Sequence, residues 1–210
     1  MSSSRIFGLV VALAIATVIF VNAPLLSGTG TAPPPRMPAS TSVSSVQGLR
    51  LDLSLSATEI APWQPLVIGV SEFNTLSLPV NITVGRSWAV EGLRMTQCYA
   101  SIYPFGVAVY QGRYIASNVS EAKPLQTFPL VVCHMLIRLV TGYYFSPGGS
   151  NAVVLPGTGP AVPMVASATI AGTYSTDTLG GPAHPLAPGV YTVVAGDEWG
   201  TLAFLHFIVS

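Results

Sequence analysis

Few residues in this chain can do chemistry. In 210 residues there are 8 Lys and Arg, 8 Asp and Glu, 3 His and 2 Cys. The two cysteines are Cys98 and Cys133, and an even count in an oxidising compartment predicts a disulfide between them. Closing that loop would stabilise the fold by roughly 3–4 kcal/mol in the chain-entropy picture. The competing chemistry is a metal site through Cys133, His134 and Met135. Adjacent residues of a strand point to opposite faces, so Cys133 and His134 are poorly placed to share one ion. His184 and His206, with Met164, would suit copper only beside a thiolate, and no cysteine lies near them in sequence. No metal and no other cofactor is therefore expected, and His206 reads as a partly buried histidine.

The carboxylates are equally sparse. Asp197 and Glu198 are adjacent between two apolar runs, where the ordinary role is turn formation and solubility. Calcium would need several more oxygen ligands. Glycosidase chemistry would need two acids across a cleft, and no pair is marked in the sequence. Nucleophile-elbow, His-Glu-x-x-His and P-loop patterns are absent. No catalytic residue is assigned, and the chain is read as a non-enzyme. Asn81-Ile82-Thr83 and Asn118-Val119-Ser120 fit the N-glycosylation sequon. Tyr103, Phe105, Tyr143, Tyr144 and Trp199 are candidate binding residues, because loop aromatics give large, rigid contact area. The alternative is that these rings close the ends of the core.

Composition narrows the class further. Charged residues make up 8% of the chain, far below the roughly 25% of an ordinary soluble domain. A net charge of zero with scattered charges excludes an electrostatic nucleic-acid binder. Twenty glycines and 18 prolines favour many turns over long helices.

The run Ile6–Val21 carries no ionisable group and follows Arg5. Residues 1–27 are read as a signal peptide or a membrane-anchor helix. The lone Arg5 ahead of the run predicts a cytoplasmic N-terminus and an exported remainder. Residues 28–47, with four Pro, four Ser and three Thr, read as a disordered linker. Residues 48–210 are then one domain.

That domain reads as all-β. Leu49, Leu51, Leu53 and Leu55 alternate with polar residues, the period of a half-buried strand. Ala61–Pro65 is a turn, and Leu66–Val70 resumes as a strand. Val80–Val84, Phe105–Tyr110, Phe128–Val132 and Val162–Ile170 are further strands. Residues 134–140 suit a short helix as well as a strand. Gly189–Ala195 and Leu202–Val209 flank a Gly- and Asp-containing loop and predict a hairpin. Both of its strands are apolar on two faces, so the hairpin is expected inside the packing. Several short strands with regular turns predict an antiparallel sandwich.

The opening strand–turn–strand of Leu49–Val70 and the closing Pro188-Gly189-Val190-Tyr191-Thr192-Val193 resemble immunoglobulin-like extracellular modules. The closing sequence is similar to that of uncharacterised secreted prokaryotic proteins. No Trp lies between Cys98 and Cys133, so the antibody-type pattern is missing. The resemblance implies an immunoglobulin-like β-sandwich fold. Together these readings predict a membrane-tethered or secreted sandwich with a non-catalytic binding or cell-envelope structural role. Its partners would be the membrane, through the N-terminal helix, and a cell-surface protein or glycan. The alternatives are an extracytoplasmic enzyme with an undisclosed site and a copper or redox protein.

Overall fold

The computed structural model describes residues 37–90, 93, 103–128, 140–157, 159–174 and 183–210, which belong to one compact unit, Pro35–Ser210. The apolar run Ile6–Val21, both cysteines and nearly all of 134–140 lie outside the described residues. The anchor, disulfide and short-helix expectations fall there. Among the described residues there is no α-helix, and no helix is long and apolar enough to cross a membrane.

The chain is all-β. In order the strands are β1 (Ala39–Ser44), β2 (Leu49–Leu55), β3 (Glu59–Ile60), β4 (Leu66–Asn74) and β5 (Val80–Thr83). Then come β6 (Phe105–Gln111), β7 (Gln126–Phe128), β8 (Gly142–Phe145), β9 (Asn151–Leu155) and β10 (Val162–Pro163). The last are β11 (Val165–Ile170), β12 (Thr173–Tyr174), β13 (His184–Pro185), β14 (Gly189–Asp197) and β15 (Leu202–Val209). They form a four-stranded sheet β1-β2-β4-β11, a second four-stranded sheet β10-β9-β8-β5, a five-stranded sheet β3-β15-β14-β6-β7, and the pair β12-β13. Every pairing is antiparallel except β3 with β15.

The period-2 pattern explains the core. Leu51, Leu53 and Leu55 of β2 and Leu66, Ile68 and Val70 of β4 turn the same way and are buried. They pack in one cluster with Val107 and Val109 of β6, Tyr191 and Val193 of β14, Phe207 of β15, and Tyr143 and Phe145 of β8. Three sheets thus bury one common core. A second, smaller cluster covers the opposite face of β6 and β14: Ala108, Tyr110 and Val194 pack against Val90, Leu93 and Val119. Strand β14 is therefore central and covered on both sides, as its apolar pattern predicts.

Thr192 shows how a polar group survives there. Its buried Oγ1 donates to Gly112 O at 2.7 Å and accepts from Tyr114 N at 3.0 Å. His206 Nδ1 lies 3.1 Å away. A hydroxyl has one proton, so with that proton on Gly112 O the His206 Nδ1–H is the donor. Burial, with the positive charge of Arg113, holds the His206 pKa below its ordinary value. Thr192→Val keeps the shape and strips these partners. It should cost about 1–3 kcal/mol in a denaturant melt of the full-length chain.

Four expectations are corrected. The linker 28–47 does not reach residue 47, because Ala39–Ser44 is β1, paired with β2 from Ala39↔Leu55 to Ser44↔Arg50. Thr41 and Val43 are half-buried while Ser40, Ser42 and Ser44 face out, so a Ser/Thr-rich stretch with one β-branched inward face became an edge strand. Gln47 and Gly48 turn the chain at φ of 49° and 80°, and the following strand starts at Leu49. Second, Val162–Ile170 is two strands: β10 pairs with β9, and β11 pairs with β4 in another sheet. Third, Tyr143-Tyr144-Phe145 is strand and not loop. Fourth, Leu66–Val70 continues to Asn74, which carries Glu72 into the interior.

Candidate functional site

The site begins with that fourth correction. Glu72 keeps the phase of Leu66, Ile68 and Val70, so its side chain turns inward and is 0% exposed. Its backbone N donates to Met164 O at 3.0 Å, yet neither carboxyl oxygen has a hydrogen-bond partner. Two residues on, buried Asn74 ends the strand: its Nδ2 donates to Leu78 O and Ser146 O, and its Oδ1 accepts from Leu76 N.

From the five-stranded sheet comes the tip of the β14–β15 hairpin. Asp197 is 1% exposed and Glu198 6%. The Asp197 carboxylate accepts from Trp199 N at 3.0 Å, from Thr201 N at 2.8 Å and from the Ser45 hydroxyl. Thr201 Oγ1 in turn donates to Ser45 Oγ at 3.0 Å. Glu198 Oε1 accepts from Gly85 N at 2.9 Å. Gly85 is required there, because a Cβ would stand 2.1 Å from Glu198 O. These bonds stitch the hairpin tip to the turn before β2 and to the segment after β5. The expectation that Asp197 and Glu198 serve solubility is thereby corrected. They face inward because the strand continues through Asp197, and their oxygens satisfy backbone donors that would otherwise be orphaned.

Glu72 is the exception. Burial pushes its carboxyl up to about 9, and the like charges of Asp197, Asp52 and Glu198 push it the same way. Glu198 is pushed up to about 7, by burial first, with the Gly85 N–H pulling down and Asp197 pushing up. Glu72 therefore holds its proton at neutral pH. The one cationic side chain in an ion pair among the described residues, Arg50, is turned away to Asp52 on the outer face at 2.8 Å. Among the described residues no three His, Cys, Asp or Glu stand together as a metal site.

The aromatic candidates separate into two groups. Phe105 and Tyr143 are buried in the common core and cannot meet a partner. Trp199 is half-buried, donates Nε1–H to Thr83 O at 3.1 Å, and stands edge-on to Tyr143 at 6.0 Å. Tyr103 is half-buried 5.3 Å from Phe105. Tyr144, 43% exposed, keeps a free surface. The rings mostly close the core, because β8 alternates and puts Tyr143 and Phe145 inward. Both sequon asparagines are exposed, Asn81 opposite Tyr144 on β5 and Asn118 in a turn where its Oδ1 accepts from Ile115 N. His184 is exposed at β13, Met164 is fully buried and His206 is half-buried, so the three copper candidates do not share an environment.

One surface stands out on the β1-β2-β4-β11 sheet. Its outer face carries a cross-strand row Ser40–Ser54–Gly69–Ser167, and beside it a row Ser42–Asp52–Ser71–Val165. Because Gly69 has no side chain, a shallow groove of about 260 Å³ opens along Ser40, Ser54, Gly69 and Ser71. Arg50 and Asp52 line it too, with Arg50 forked onto Asp52 and 4.9 Å over the Phe73 ring. The serines of β1 fell inside the expected linker, and so sequence reading missed this face. The signal was present as serine at every second position from Ser40 to Ser44.

Comparison with known protein families and with curated proteins gave no match.

Proposed function

We propose that this chain is a membrane-tethered or secreted immunoglobulin-like β-sandwich protein with a non-catalytic binding or cell-envelope structural role. The observation that carries the binding part is the hydroxyl-lined groove at Gly69. Serine hydroxyls, each both donor and acceptor, suit a partner with the same capacity, which is the chemistry of a glycan. The Arg50–Asp52 fork adds directional donors and acceptors at one end, and Phe73 adds an apolar surface. A non-catalytic role fits the fate of the acids: Glu72, Asp197 and Glu198 are buried, and Asp52 in the groove is committed to Arg50. Export is supported by Arg5 ahead of the apolar run Ile6–Val21.

The test is an array of glycans and cell-surface proteins probed with the full-length chain in detergent. A retained ligand should lose affinity by about tenfold or more on Gly69→Leu. At Gly69 a Cβ would meet the Ser54 hydroxyl at 2.6 Å, a flexible group that can move, so the variant should fold. An unchanged affinity in that variant, or no retained ligand at all, would reject the groove as the binding face.

A further inference from the structure

The acids at the end of the β14–β15 hairpin have a use that no binding role absorbs. We propose that Glu72, Asp197 and Glu198 form a proton-responsive lock, which holds the hairpin tip against the end of the β1-β2-β4-β11 sheet while Glu72 is protonated and releases it when Glu72 ionises.

The geometry carries this in three steps. Glu72 is completely buried, and both of its oxygens lack a partner. A buried carboxylate in that position would need a cation or several donors, and it has neither. The charges acting on it are all negative: Asp197 from β14 and Glu198 from the hairpin loop, with Asp52 acting from the outer face of β2. Arg50 of β2 is committed to Asp52 on the other side of the sheet. From β8, Tyr143 faces Glu198 and offers no positive charge. Asp197 meanwhile is held within the tip by Trp199 and Thr201, and its bond to Ser45, with that of Thr201 to Ser45, fastens the tip. Ionising Glu72 would set an unsolvated negative charge against that carboxylate. The cheapest relief is to let the tip move and water enter.

The direction with pH follows. An unfolded glutamate loses its proton near 4.5, whereas the folded Glu72 keeps it to about 9. Between those values the unfolded chain binds fewer protons, so stability falls as pH rises and levels off above about 9. Glu198, pushed up to about 7, adds to the lower part of the same window.

The experiment is a thermal melt of the full-length chain in detergent from pH 5 to pH 10, beside Glu72→Gln. The wild-type midpoint should fall by roughly 5–10 °C across that range, and Glu72→Gln should remove most of the fall. Amide exchange at Trp199 and Thr201, corrected for its intrinsic pH dependence, should speed up above pH 9 in the wild type before the exchange of β2 and β4 does. Infrared spectra of the wild type alone should show a protonated carboxylic acid at pH 8, above the Glu198 range, which keeps the idea testable if the variant fails to fold. Equal slopes in the two proteins, or no acid band at pH 8, would overturn the lock. So would a midpoint at pH 7 that rises with calcium and falls with chelator, because a cation would then be neutralising the acids.

Discussion

Removal of residues 202–210 should leave the chain with no cooperative thermal transition. Strand β15 is bonded to β14 along its whole length, from Gly196↔Leu202 to Gly189↔Val209, and to β3 on its other side. Deleting it strips the ladder from one edge of β14 and removes Ala203, Phe207 and Val209 from the core together. The point substitution Phe207→Ala isolates the packing part. Phe207 is fully buried and stacked on Tyr191, with ring centroids 5.2 Å apart at 17°. Truncation should cost about 3–5 kcal/mol, which lowers the midpoint by roughly 8–15 °C. Thermal melts of the full-length protein and both variants decide it. A deletion variant that still melts near the parent's midpoint would show the hairpin to be peripheral.

Asp197→Ala should be the most damaging change among the acids, with a loss of about 2–4 kcal/mol. The mutation leaves the amides of Trp199 and Thr201 and the hydroxyl of Ser45 without their acceptor in a site that is almost dry. Glu72→Gln, in the same neighbourhood, should instead raise stability at pH 8, because it removes an acid that has no partner to lose. Opposite signs for two carboxylates that lie close together are expected from their bonding alone. Urea titration of both variants at pH 8 gives the comparison. Equal losses in the two would mean that Glu72 has partners of its own.

The legible parts of the fold were those where one residue type marks each face. The leucines of β2 and the doubly apolar β14 announced their strands and their depth. Strand β15, also apolar on two faces, instead has one face half-buried and Ile208 exposed, because only two-residue β3 flanks its other edge. What escaped were strands whose inward positions are weakly apolar. In β1 only Ala39, Thr41 and Val43 face inward, so serine content suggested a linker. The far end of β4 escaped for a related reason. Glu72 and Asn74 occupy inward positions in phase with Ile68 and Val70, but an acid there looks like the end of a strand. Following the period past Val70 would have placed Glu72 inside. Its meeting with Asp197 depends on pairings across 125 positions, which no local pattern carries. The break at Met164 is equally non-local, since both halves of Val162–Ile170 have strand character and only their partners differ.

That break has a mechanical consequence. Met164 N donates to Ser150 O at 2.6 Å, beside the β9–β10 pair, while Met164 O accepts from Glu72 N at 3.0 Å on β4. One residue is thus a rivet between two sheets, with its thioether sealed in the core. A force that slides one sheet over the other must load both bonds at once, and one of them is made by the backbone of Glu72 itself. Oxidation of that sulfur would need the joint to open first, so Met164 should resist peroxide for as long as the sheets stay fastened.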